Sequence, residues 1–305
     1  MKIGPKNRKV EFPIRNPFSR EPSLRKSRRL KHIAFLPSFI TLINGACGLI
    51  AIIFASDGNF AMAGYIILIG MIADVLDGRV ARLTRTTSSF GGQLDSLSDA
   101  ISFGVAPAFI MFKLVELHLG HIGHYELNFY VILGRGMIVA AVFYAMCAVV
   151  RLARFNVENE EDETAHMNFS GLPSPAAAGV VVSLVIFHQQ VLYGVVDDAL
   201  RSFHILTITA LPLVTVFSGM LMVGRIRYPH VANHLLRSKK SPAFLLLIFT
   251  TVLLMLWNIQ FALVAGFCGF ALFGVIRWII TNPFKKPPSA PKKTSAPEAG
   301  SSAEQ

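Results

Sequence analysis

The sequence is poor in charge and in cysteine. Asp, Glu, Lys and Arg make up 15% of its 305 residues. A soluble domain carries roughly 25%, so this deficit, with 53% hydrophobic residues and a mean hydropathy of +0.52, excludes a soluble fold. The three cysteines, Cys47, Cys147 and Cys268, stand singly in separate apolar runs. No pair has the spacing of a metal or redox motif, and they read as small packing residues. A small-residue cleavage site is lacking and the first apolar run begins late, which excludes a cleavable signal peptide. The internal inverted repeat expected of many transporters is missing too. Acidic residues number 18 against 29 basic ones. The resulting +11 charge does not line a soluble face with aromatics, so it does not mark a nucleic-acid binder.

What is present is a series of apolar runs, each near the ~20 residues a membrane-spanning helix needs. Eight are expected, at 37–55, 60–83, 91–115, 134–151, 172–192, 204–223, 243–258 and 261–280. The fold class is therefore all-α, a polytopic transmembrane helical bundle. Residues 1–32 form a basic amino-terminal segment, 33–282 the membrane domain, and 283–305 a disordered tail rich in Lys, Pro, Ser and Ala. The first 32 residues hold eleven Lys or Arg. Such a segment attracts anionic headgroups, and 22–32 reads either as a short surface helix or as part of a tail that fixes orientation. With the amino terminus in the cytoplasm, all basic residues but Lys113, Arg135 and Arg201 fall on the cytoplasmic side or near the helix ends facing it.

Four of the scarce acidic residues crowd into 74–99, DVLDGRVARLTRTTSSFGGQLDSLSD, between two spanning runs. Carboxylates beside hydrocarbon are costly and mark function by default. Asp74 and Asp77 are three apart, Asp95 and Asp99 four apart, so each pair shares one helix face. The polar link 83–90 folds the two helices into an antiparallel hairpin, which sets both pairs at similar depth. Four converging carboxylates repel unless protonated or neutralised, and hard oxygen ligands suit Mg²⁺ or Mn²⁺. A salt-bridged helix pair using Arg79, Arg82 and Arg85 is the plainer alternative, but it does not require glycine and alanine at set positions.

The spacing D-x2-D-G-x2-A-R-x8-G-x3-D-x3-D is filled without a gap by Asp74, Asp77, Gly78, Ala81, Arg82, Gly91, Asp95 and Asp99. This resembles the signature of the CDP-alcohol phosphotransferases, membrane enzymes of phospholipid synthesis. The resemblance implies two divalent ions on Asp74, Asp77, Asp95 and Asp99, with Asp99 also the general base. Gly78, Ala81 and Gly91 would let the CDP moiety lie against backbone, and Arg82 would help hold it. A homodimer is implied as well. The strings FGGQLDSLSDAISFGVAPA from Phe90, RLARFNV from Arg151 and GLPSPAA from Gly171 are similar to those members that pass the phosphatidyl group of CDP-diacylglycerol to L-serine, releasing CMP. Ala100 stands where members acting on glycerol phosphate usually have lysine. An integral membrane enzyme facing the cytoplasm is implied, in a bacterial cell membrane. Same-family enzymes using choline, glycerol 3-phosphate or inositol phosphate are the nearest alternative, and a divalent-cation transporter is the alternative from another class.

Other features admit two readings each. Arg151 and Arg154 end the fourth span level with the aspartates, where snorkelling arginines are common. A zwitterionic serine needs a cation for its carboxylate, which makes Arg151, Arg154 and nearby Asn156 substrate candidates. The stretch 169–178 opens the fifth span, with Pro173 and Pro175 suited to a first turn whose N–H groups are able to bind an anion. Gly45 and Gly48, and Gly266, Gly269 and Gly274, allow close helix approach, within the chain or in a dimer. His118, His121 and His124 read as a solvated interfacial loop more readily than as metal ligands.

Overall fold

A computed structural model describes the backbone of residues 23–84, 89–122, 127–161, 171–193, 198–224, 226 and 258–281. It describes the side chains of 37–80, 83, 90–118, 134–157, 171–193, 203–224, 226 and 258–280. The described chain is all-helical: α1 (Ser23–Ser56), α2 (Phe60–Thr84), α3 (Ser89–Asp99), a π-helical segment Ala100–Val105, α4 (Ala106–Ile122), α5 (Leu127–Glu161), α6 (Ser174–Phe187), a second π-helical segment His188–Leu192, α7 (Asp198–Val223) and α8 (Ile259–Thr281). With no water in hydrocarbon, each helix satisfies its own backbone, which is why these apolar runs become helices.

Among the described residues, seven helices are long and apolar enough to cross a membrane. They coincide with seven of the eight expected spans; the run at 243–257 lies outside the described residues. α3, the first π-helical segment and α4 form one span, Phe90–His118. Leu83, Leu97, Val139 and Leu213, each more than 60% exposed, are typical of the apolar side chains left on the outer surface. On a chain of this composition that surface is the lipid-facing one.

α6 is hydrophobic all round, and such a helix belongs in the interior. Ten of its residues are buried, from Ser174 to Ile186. It packs on α2, α4, α7 and α8, so it is the central pillar. Among the described spans α8 is the most peripheral, with 17% of it buried. α1 lies along α2 and α5 along α7.

Small residues set the closest approaches. A Cβ on Gly45 would sit 3.1 Å from Ser98 Oγ, and one on Gly48 2.8 Å from Ser102 Cα. These two glycines therefore serve packing of α1 against α3 and the first π-helical segment. At Gly266 and Gly269 a Cβ would meet nothing within 4 Å. Cys47 and Cys147 are buried and free, as expected of packing residues.

α1 is longer than its spanning part: it runs unbroken from Ser23 through Pro37, and the spanning part, Pro37–Ser56, is where the apolar run lies. One expectation is corrected. His118 does not lie in a solvated loop. α4 continues past it to Ile122, and the side chain is 7% exposed. Its ring packs on His188 and His204, and its Nδ1 lies 2.8 Å from the carbonyl of Leu114, one turn back. The side chains of His121 and His124 lie outside the described residues.

Candidate active site

The α2–α3 hairpin and α1 build the site. Asp74, Asp95 and Asp99 each offer a carboxylate oxygen within 4.8 Å of the other two. Asp74 of α2 thus faces Asp95 and Asp99 of α3 across the hairpin. Asp77 is buried, 5% exposed, but falls outside that closest set. Its Oδ2 and Asp95 Oδ1 are buried without a hydrogen-bond partner. Among the described residues no Lys or Arg makes an ion pair with any of the four; the one such pair is Lys113 with Glu116.

Asp99 is 8% exposed and held by Asn44 of α1, whose Nδ2 donates to Asp99 Oδ1 at 2.9 Å. Ser102 Oγ in turn donates to the Asn44 carbonyl at 2.7 Å. The π-helical segment starts directly after Asp99. Such insertions break the regular i→i−4 ladder and occur often at functional sites. Tyr144 of α5, fully buried, donates from its hydroxyl to the Phe103 carbonyl at 3.0 Å, satisfying backbone within that segment.

Arg151 and Arg154 part company. Arg151 interacts electrostatically with Asp74 and Asp99, and its Nη1 donates to Ser174 Oγ at 2.5 Å. Ser174 is the first residue of α6, after Pro173 in extended backbone. Arg154 Nη1 instead donates to the Val223 carbonyl at the end of α7, 3.2 Å away. That bond satisfies a carbonyl at a helix C-terminus, a common structural use of arginine. Asn156 joins the aspartate side through Ser96, which donates to its Oδ1 at 2.9 Å. Ser96 immediately follows Asp95.

The loop before α6 is pinned to α7. Gly171 N–H donates to the Ile226 carbonyl and Leu172 N–H to the Leu221 carbonyl, both at 2.9 Å. Gly171 has φ +100°, and a Cβ there would collide with the Met222 carbonyl. Only glycine fits both demands.

Gly78 lies on α2 with open space where a Cβ would point. Gly91 is half-buried on α3, one turn before Asp95. Ala81 and Arg82 are on the last turns of α2, and their side chains lie outside the described residues. Sequence reasoning missed Asn44, Ser174 and Tyr144 as members of this neighbourhood. Asn44 carried a signal: an amide in the middle of an apolar span needs a polar partner.

The donor set fits divalent cations. Three clustered carboxylates that form no ion pair with a Lys or Arg among the described residues, and buried oxygens lacking partners, match the all-oxygen environment of Mg²⁺ or Mn²⁺.

Residues 34–216 match the CDP-alcohol phosphatidyltransferase family. The chain is 34% identical over 245 residues to a CDP-diacylglycerol–serine O-phosphatidyltransferase of Helicobacter pylori, covering 80% of this chain and 90% of that one. It is 29% identical over 251 residues to the enzyme of that name from Methanocaldococcus jannaschii, covering 82% and 97%. A Bacillus subtilis protein of that name is 30% identical over 207 residues, covering 68% and 97%.

Proposed function

Because the chain belongs to the CDP-alcohol phosphatidyltransferase family, we propose that it transfers the phosphatidyl group of CDP-diacylglycerol to the hydroxyl of L-serine, giving phosphatidylserine and CMP. The observation that carries this reading is the convergence of Asp74, Asp95 and Asp99 at one end of the bundle, within electrostatic reach of Arg151. The acyl chains of the donor stay in the bilayer while its cytidine diphosphate enters the polar pocket.

In the reaction the serine Oγ forms a bond to the phosphatidyl phosphorus. The bridging P–O bond of the diphosphate breaks, and its electron pair leaves on CMP. Asp99 accepts the serine hydroxyl proton. Asn44 orients it by holding Oδ1, so the carboxylate is positioned before substrate arrives. Asp74, Asp77, Asp95 and Asp99 would hold two divalent ions, which when bound neutralise the diphosphate and the charge growing on CMP. Gly78, Ala81 and Gly91 keep the pocket wall close to backbone, and Arg82 holds the nucleotide. Arg151, with Asn156, receives the serine carboxylate. The bond of Arg154 to the Val223 carbonyl supports a structural role for it instead.

The distribution of Lys and Arg supports a site that opens to the cytoplasm. The homodimer that the family resemblance implies has room along α8, the least buried of the described spans.

Two measurements test this reading. Release of CMP from CDP-diacylglycerol should require Mg²⁺ or Mn²⁺ and should be fastest with serine when choline, glycerol 3-phosphate and inositol phosphate compete. A better acceptor than serine would move the chain elsewhere in its family, and metal-dependent ion flux without CMP release would make it a transporter. Arg151→Ala should raise the serine KM by roughly 10-fold or more, as expected on losing a charge-assisted hydrogen bond. Arg154→Ala should leave that KM unchanged and lower thermal stability instead. Equal KM in all three proteins would remove Arg151 from the serine site.

A further inference from the structure

His118, His188 and His204 meet at the end of the bundle away from the aspartates. They come from three different elements: α4, the second π-helical segment and the second turn of α7. Asp99 and His118 are nineteen residues apart along one span, roughly 28 Å at 1.5 Å per residue, so the two clusters are separate. Each histidine offers a ring nitrogen within 4.8 Å of the other two. The ring centres are 4.6, 4.9 and 5.2 Å apart. Three imidazoles bound tetrahedrally to one ion at about 2.0–2.1 Å bring their ring centres about 5 Å apart.

The hydrogen bonding points the same way. Leu114 O can only accept, so the His118 nitrogen facing it, Nδ1, carries the proton. A backbone carbonyl on one ring nitrogen is the usual support of a histidine that ligates through the other. His188 is fully buried, and neither of its ring nitrogens has a hydrogen-bond partner. A histidine kept only for packing would leave both those atoms uncompensated. Tyr193 lies against all three rings, 5.6 to 6.4 Å between centres, and covers the cluster.

We infer that His118, His188 and His204 form a zinc site that ties α4, the second π-helical segment and α7 together at the end of the bundle opposite the aspartates. Neutral imidazoles favour a borderline ion such as Zn²⁺ over Mg²⁺ or Mn²⁺, whose place is among carboxylates. Three protein ligands leave the fourth position to water or a small anion.

The test uses the full chain in detergent with a tag that contains no histidine. The protein is loaded with Zn²⁺ in a large excess of Mg²⁺, desalted, and its zinc content measured. The expected result is about one zinc per chain in the wild type. His188→Gln and His204→Gln should each weaken binding at least about 100-fold, beyond the loss of an outer partner. Asp74→Asn with Asp95→Asn should retain the zinc. Co²⁺ in place of Zn²⁺ should give the intense visible bands of a tetrahedral site in the wild type alone of the wild type and the two histidine variants. Wild-type protein that holds no zinc after desalting would overturn the inference, whatever the variants do. Zinc that follows the aspartates, or survives both histidine changes, would overturn it as well.

Discussion

Asp99→Asn should abolish turnover while the protein still folds and binds CDP-diacylglycerol. The substitution keeps shape and removes basicity. Asn44 Nδ2 donates to Asp99 Oδ1 at 2.9 Å, and an amide oxygen at that position accepts the same bond, so α1 and α3 stay in register. Proton transfer by a positioned side chain contributes typically 10²–10⁴ in rate, and a loss in that range or larger is expected in CMP release. The measurement is single-turnover CMP formation at saturating serine, alongside equilibrium binding of CDP-diacylglycerol. Near-normal turnover would take Asp99 out of the base role. Lost binding with a melted protein would mean that its contribution is to the fold.

Gly48→Ala should cost about 1–3 kcal/mol, the usual penalty for overpacking. The added methyl would sit 2.8 Å from Ser102 Cα and 2.7 Å from Ser102 Oγ. A side-chain tip can rotate away; the Cα cannot. α1 must therefore move off the π-helical segment, and Asn44 and Asp99 move apart with it. A lower melting temperature in detergent and a fall in CMP release are both expected. At Gly45 the nearest atom is Ser98 Oγ at 3.1 Å, so Gly45→Ala should be milder. Gly266→Ala and Gly269→Ala open onto empty space and should stay within about 0.5 kcal/mol of the parent. A Gly48→Ala protein that melts and works like the parent would show that this contact has slack.

Much of this was legible in the sequence because membrane physics leaves few choices. Apolar runs of spanning length must be helices, and the fixed spacing of Asp74, Asp77, Asp95 and Asp99 on a hairpin brings carboxylates together. What was not legible depends on which helix lies beside which. Arg151 and Arg154 look alike in RLARFNV, yet a turn of helix sends one toward Asp99 and the other to the Val223 carbonyl. His118 attracted notice for its neighbours His121 and His124, whereas the partners that bury it are His188 and His204, 70 and 86 residues away in the chain. The glycines of α1 carried no sign of whether their partner was α3 or another subunit. The π-helical segments had no local signature at all, since AISFGV and HQQVL suit an ordinary α-helix equally well.

The first of those segments also works as a phase correction. Successive residues of an α-helix turn by about 100°, so nineteen steps from Asp99 would leave His118 about a quarter revolution out of alignment. A wider i→i+5 turn absorbs one residue, and the remaining eighteen steps close on about five whole revolutions. Both ends of a single span can then look inward, one at the carboxylates and the other at the imidazoles. Excising one residue between Ala100 and Val105 would restore an unbroken ladder and swing one end outward to the lipid. The length of that segment is therefore under as tight a constraint as any side chain on it.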